Sequence, residues 1–252
     1  MSELKQDESK LEFAKELFHE AFGDSEEFLS LFERTAFSPD RCYYIYDGDE
    51  VVSALYWFDC EYLGERLAYI YGVATAKKKR GQGLCHRLFK EAHALLVEKG
   101  YAGAILVPAK TELYGLYESM GYKTVTTLNE RICKKSDVTI DFDRINKDEY
   151  KEKRKRFLPD GSVIEEGAAL DFLDGYSEFY LGEDFLLVLS RDEGGVYSPE
   201  LLGNPDAFPA VLRTLGYDGG RVRTPGEGRP FAMYYPFVEA LVPPKYFGLA
   251  LD

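Results

Sequence analysis

The stretch from residue 67 to residue 100 constrains the fold most. Leu67 to Thr75 reads as a strand, and Lys77-Lys78-Lys79-Arg80-Gly81-Gln82-Gly83 follows. Leu84, Leu88, Phe89, Ala92, Leu95 and Leu96 then recur at helical spacing until Gly100 ends the run. A strand that passes through two glycines into a helix leaves backbone N–H groups facing a concavity, because no Cβ blocks the approach. The helix adds its own free N–H groups and the positive end of its dipole. Such a junction suits a pyrophosphate. Lys77, Lys78, Lys79, Arg80, Arg87 and Lys90 gather within fourteen positions, in a chain whose 31 Lys and Arg face 44 Asp and Glu for a net charge of −13. A basic island in an acidic chain marks this loop as the place for an anionic ligand.

The elements around the loop point to an α+β architecture. Leu11 to Phe22 places Leu11, Ala14, Leu17, Phe18 and Ala21 on one helical face, and Gly23 stops it. Asp24 and Glu27 read as the capping pair of a second helix reaching about residue 37. Cys42 to Tyr46, Val51 to Phe58 and Leu67 to Thr75 form a meander turned at Asp47-Gly48 and Leu63-Gly64. Ala104 to Val107 is a short strand, Thr111 to Met120 a helix, and Tyr122 to Thr127 with Arg131 to Lys134 a closing strand pair. A second unit starts near residue 137. Its strands are expected at 138–142, 179–181, 185–189, 195–198, 221–223, 231–235 and 246–251, and its helices at 147–157, 162–176 and 205–215. The domains are therefore expected at 1–136 and 137–252, packed together because no low-complexity tract separates them.

Several classes are excluded by the same reading. The acidic balance argues against a general nucleic-acid binder and against a protein held on anionic lipid. No apolar run reaches the ~18–20 residues of a membrane span, and the polar start reads as no signal peptide. Cys42, Cys60, Cys85 and Cys133 are far apart, and His19, His86 and His93 fit no ligand spacing, so no metal is expected. Reduced thiols point to a cytoplasmic protein. A homo-oligomer remains open. The loop lacks the Gly-Lys-Ser/Thr of a P-loop, and His86 stands where a dinucleotide fingerprint wants a small residue.

The spacing resembles the GNAT acyltransferase superfamily, whose loop reads Arg/Gln-x-x-Gly-x-Gly/Ala. Arg80, Gly83 and Cys85 hold the marked positions, Cys85 departing from the last. Gly72-Val73-Ala74-Thr75 before the loop, Leu106-Val107-Pro108 after it, and Leu116-Tyr117-Glu118-Ser119-Met120-Gly121-Tyr122 look like the Eis (enhanced intracellular survival) branch, without its sterol-carrier-like domain. The resemblance covers about residues 10–135. It implies a GNAT fold followed by a degenerate GNAT-like α+β domain, since the second half carries no such loop.

By that resemblance acetyl-CoA is the co-substrate. Arg80, Gly81, Gln82, Gly83, Leu84 and Cys85 would hold its pyrophosphate, and Val73, Ala74 and Thr75 its pantetheine arm, with the Val73 N–H on the thioester oxygen. Tyr117 matches the family's general acid, with Tyr114 as the fallback one turn earlier. A phenol near pKa 10 can return a proton to a thiolate whose acid lies near 8.5. For the base, Asp252 and Tyr71 are the candidates, with Asp59 and Glu61 near the same strands. The implied activity is direct N-acetylation of a primary amine on a small molecule or lysine-like acceptor. A regulatory protein that binds acyl-CoA without turnover is the alternative.

Overall fold

The computed structural model describes residues 10–192 and 195–251. Helices α1 (Lys10–Phe22) and α2 (Glu26–Thr35) come first. The cap of α2 is Ser25, whose hydroxyl accepts from the Phe28 amide at 3.2 Å, and not Asp24 as the sequence suggested. The expected meander follows as β1 (Cys42–Asp47), β2 (Glu50–Tyr62) and β3 (Glu65–Thr75). Helix α3 (Leu84–Glu98) crosses back to β4 (Gly103–Leu106), which lies parallel to β3. Helix α4 (Tyr114–Ser119) leads to β5 (Lys123–Thr124) and β6 (Thr127–Lys134).

The second half opens with β7 (Phe142–Ile145) and α5 (Lys147–Phe157), which carries a capping box between Asn146 and Glu149. Helix α6 (Ala168–Asp174) is much shorter than the expected 162–176. Ile164 exchanges backbone hydrogen bonds with Glu61 of β2, so the residues before Gly167 run extended. Strands β8 (Ser177–Gly182), β9 (Phe185–Asp192) and β10 (Gly195–Gly203) form a second meander. Helix α7 (Phe208–Leu215) then crosses to β11 (Gly219–Pro225), parallel to β10. The chain closes with β12 (Arg229–Pro230) and β13 (Met233–Pro236). Residues 246–251 form no strand; Tyr246 makes only an isolated bridge to Ser162.

Each half thus repeats three antiparallel strands, a helix and a parallel strand. The sheets do not divide at residue 136. The first runs β1-β2-β3-β4-β13-β5 and the second β12-β6-β11-β10-β9-β8-β7. Strand β13 from late in the chain pairs with β4 and β5, while β6 pairs with β11 and β12. The strand pair expected from 122–127 and 131–134 is therefore corrected: its two members lie in different sheets. This reciprocal exchange ties the halves by main-chain hydrogen bonds.

The cores follow from the same arrangement. Leu88, Phe89, Ala92 and Leu96 of α3 bury against Trp57, Ile70 and Leu106 of the first sheet. Phe208, Val211 and Leu212 of α7 do the same on Leu187, Leu189 and Val222 of the second. A third cluster is shared between the halves: Phe32 stands 5.3 Å from Phe172, ring to ring, and Tyr69 stands 4.9 Å from Phe247. Among the described residues no helix is long and apolar enough to cross a membrane.

Candidate active site

Strands β3 and β4 pair only from Leu67↔Gly103 to Tyr69↔Ile105. Beyond Tyr69 they part. On its other side β3 slips register against β2 between Ala54 and Tyr56, a bulge that falls at Gly72-Val73. Gly72 has φ +58, a conformation glycine adopts without strain, and a Cβ there would stand 3.3 Å from the Phe18 ring. Bulge and parting together open a cavity of about 550 Å³, lined on this side by Tyr71, Val73, Val107 and Tyr117.

Past the opening, Ala74 is buried and its carbonyl accepts from the Ser53 hydroxyl at 3.0 Å. The Thr75 carbonyl accepts from Arg80 Nε at 3.0 Å, which anchors the start of the glycine loop to the end of the strand. Gly81 and Gly83 both have positive φ (+75 and +74), and Gly83 is the N-cap of α3. No side chain caps that helix, so its first-turn N–H groups remain available to a ligand. The basic residues are partly engaged: Lys78 pairs with Glu50, Lys79 with Asp47 and Arg87 with Glu91. Pairs as exposed as these are screened by water and yield readily to an anionic ligand.

Tyr117 and Tyr114 separate cleanly. Tyr117 is buried edge-on to Phe89 at 5.6 Å and reaches the cavity wall. Burial, and then the nearby Cys85, hold its phenol well above the ordinary range. The Tyr114 hydroxyl donates to the carbonyls of Pro230 and Phe231, both at 2.9 Å, and so fastens α4 to the segment before β13. Cys85 packs half-buried against the α3 core, and burial pushes its thiol up to about 11.

Of the base candidates, Tyr71 lines the cavity, ring to ring with Phe32 and Phe58. Asp252 lies outside the described residues. Its neighbours Ala250 and Leu251 line the cavity, and the Leu251 amide donates to the Tyr69 hydroxyl at 2.9 Å. Asp59 is held by Arg41, Arg66 and Tyr101, and Glu61 is exposed on β2; neither lines the cavity. No group of three His, Cys, Asp or Glu side chains suited to a metal occurs among the described residues.

Sequence reasoning missed two walls. One is the α1–α2 turn, with Phe22, Asp24, Phe28 and Phe32. The other comes from the second half, with Tyr176, Arg191, Tyr197 and Arg221. Both arise from contacts between elements distant in sequence, for which no local spacing gives a signal.

A family model described as an acetyltransferase (GNAT) domain matches residues 4–125. Among solved structures, a GCN5-related N-acetyltransferase from Anabaena variabilis superposes with a TM-score of 0.70 at 13% identity, over 90% of this chain and 70% of that one. One from Kribbella flavida gives 0.66 at 17% identity, over 91% and 69%. Eis1 from Mycobacterium abscessus gives 0.60 at 11% identity, over 92% and 72%. At these identities the likeness is one of fold, and it extends through the second half. No curated protein sequence matches.

Proposed function

With residues 4–125 a domain of the GNAT acetyltransferase family, we propose that the protein transfers an acetyl group from acetyl-CoA directly to a primary amine. The observation that carries the reading is the parting of β3 and β4 beyond Tyr69 and Ile105, with Tyr117 at the edge of the cavity it opens. An unpaired strand margin can accept an extended pantetheine as a further strand would. Residues Val73, Ala74 and Thr75 take that arm. The amides of Arg80, Gly81, Gln82, Gly83, Leu84 and Cys85 take the pyrophosphate.

The amine nitrogen attacks the thioester carbonyl carbon, and the carbonyl oxygen gathers charge against the Val73 N–H. The C–S bond then breaks, and the leaving thiolate takes a proton from Tyr117 while the amine's proton passes to the base. Tyr71 is the described candidate for that base, and Asp252 is the other. Burial raises the Tyr117 phenol and keeps it protonated, as a proton donor to the leaving thiolate must be. Cys85 is held as a thiol and is poorly suited to a covalent acetyl intermediate.

The test combines acetyl-CoA calorimetry with thiol release across a panel of amines. Tyr117→Phe should lower kcat about a hundredfold while leaving acetyl-CoA affinity within twofold. Tight coenzyme binding with no turnover on any amine would return the chain to the regulatory reading.

A further inference from the structure

We propose that the acceptor is a primary amine carried on an apolar body, and that Asp24 receives its ammonium; this rests on the transferase reading of the same cavity. Much of the lining is aromatic, with Phe22, Phe28 and Phe32 from the α1–α2 side, Tyr71 from β3, and Tyr176 and Tyr197 from the second half. Such rings take up hydrocarbon, and their faces attract a cation. A polyhydroxylated amine would shed water here from many hydroxyls and find few partners for them.

Asp24 is the one carboxylate among the described residues of the lining. It sits in the turn between α1 and α2, half-buried, and its backbone carbonyl is 2.8 Å from Nδ1 of His19. Burial raises its pKa, with His19 acting the other way, as expected of a carboxylate short of solvent. An ammonium that enters the cavity supplies the opposite charge. The cations of the lining, Arg191 and Arg221, stand on the wall from the second half, where Arg191 pairs with Glu178 at 2.9 Å. Charge therefore steers an amine towards the α1–α2 turn and leaves the apolar body to the rings.

The experiment compares phenethylamine, hexylamine, spermidine and glucosamine as acceptors at saturating acetyl-CoA. The KM of phenethylamine or hexylamine is expected at least tenfold below that of glucosamine and of spermidine. Asp24→Asn should raise the phenethylamine KM about tenfold, leave kcat and the acetyl-CoA KM within twofold, and be rescued in part by Asp24→Glu. Glucosamine or spermidine serving as well as phenethylamine overturns the proposal. So does Asp24→Asn with unchanged KM, or with a collapsed kcat, which would make Asp24 a base. Calorimetry of phenethylamine on the protein without coenzyme separates the two readings. Binding that Asp24→Asn weakens supports the amine site even where acetyl-CoA fails to bind, and absence of binding to a protein that turns over glucosamine overturns this inference alone.

Discussion

Arg154→Met gives the sharpest test of how the second half serves the site. Arg154 of α5 is fully buried, and its guanidinium donates to Glu200 through Nε at 2.8 Å and Nη2 at 2.9 Å, and to Glu165 through Nη2 at 2.8 Å. Both carboxylates are buried as well. Glu165 also accepts the Leu249 amide at 2.8 Å, and Glu200 accepts the hydroxyls of Tyr246 at 2.9 Å and Tyr150 at 2.5 Å. The ion cluster therefore holds the segment 246–251, whose Leu251 reaches Tyr69 in the cavity wall. Removing one partner of a buried pair costs about 3–5 kcal/mol, because the other charge stays behind uncompensated. The three neutral donors that remain place the loss near the lower figure. At ~2–4 °C per kcal/mol for a chain of this size, Tm should fall by about 6–12 °C. Burial already raises the Glu165 carboxyl, and without the arginine it rises further. A carboxyl raised by folding contributes stability below its unfolded pKa and loses it as pH climbs through the folded value. Scanning calorimetry should therefore find the deficit of the variant smaller at pH 5 than at pH 8. Adding Glu165→Gln and Glu200→Gln, which keeps oxygens for Leu249 and Tyr246, should recover about half of the lost Tm. A single variant within 2 °C of the parent, or a deficit that grows as the solution is acidified, would refute the reasoning.

Three further outcomes are expected. His93, packed against Tyr235 and Phe237 with Nε2 2.8 Å from the Tyr122 hydroxyl, is pushed down to about 4 by burial. Its stability contribution is complete above pH 6.5 and fades as pH falls through 4, by about 3 kcal/mol in all, so urea midpoints of His93→Gln should lose that slope. Gly72→Ala forces φ +58 on an L-residue beside Phe18; it should cost ~1–2 kcal/mol in urea titration and weaken acetyl-CoA binding several-fold, and unchanged affinity would detach the bulge from the coenzyme site. Cys85, with its thiol near 11, should alkylate at pH 7.5 at least a hundredfold more slowly than a free thiol by site-resolved mass spectrometry, and Cys85→Ala should keep its turnover; rapid labelling that abolishes activity would reverse the assignment.

What the sequence revealed was local. The apolar stripe of α3 and the glycines at 48, 64, 81, 83 and 100 each specify conformation within a few residues, and each lies where the pattern put it. The glycine loop and Tyr117 belong to this class, because their spacing is fixed by one strand, one turn and two helices. The expected helix at 162–176 formed only over 168–174, for the opposite reason. Val163 and Ile164 extend the apolar spacing of Ala169, Leu170 and Leu173, yet Ile164 bonds to Glu61 and Glu165 is drawn to Arg154. Tertiary partners overrode the local period. Tyr114 illustrates the same limit from the other side: its partners, the carbonyls of 230 and 231, lie 116 and 117 residues away.

The exchange of β6 and β13 changes what a degenerate half can mean. In the first sheet the neighbour of β4 is β13, with Met233↔Leu106 and Tyr234↔Ile105 opposite each other at the position where β3 and β4 begin to part. Strand β4 keeps its far edge paired while its near edge leaves β3, so the opening costs hydrogen bonds on one side alone. The second half therefore supplies the strand that backs the cleft, the wall at Tyr176 and Tyr197, and the segment at Leu251. Gly103 records how closely it fits: a Cβ there would lie 2.7 Å from the Tyr234 ring. A half that lacks the glycine loop is thus still part of the cleft, and cutting the chain at residue 136 would leave β4 with an unpaired edge and the cavity without its second wall.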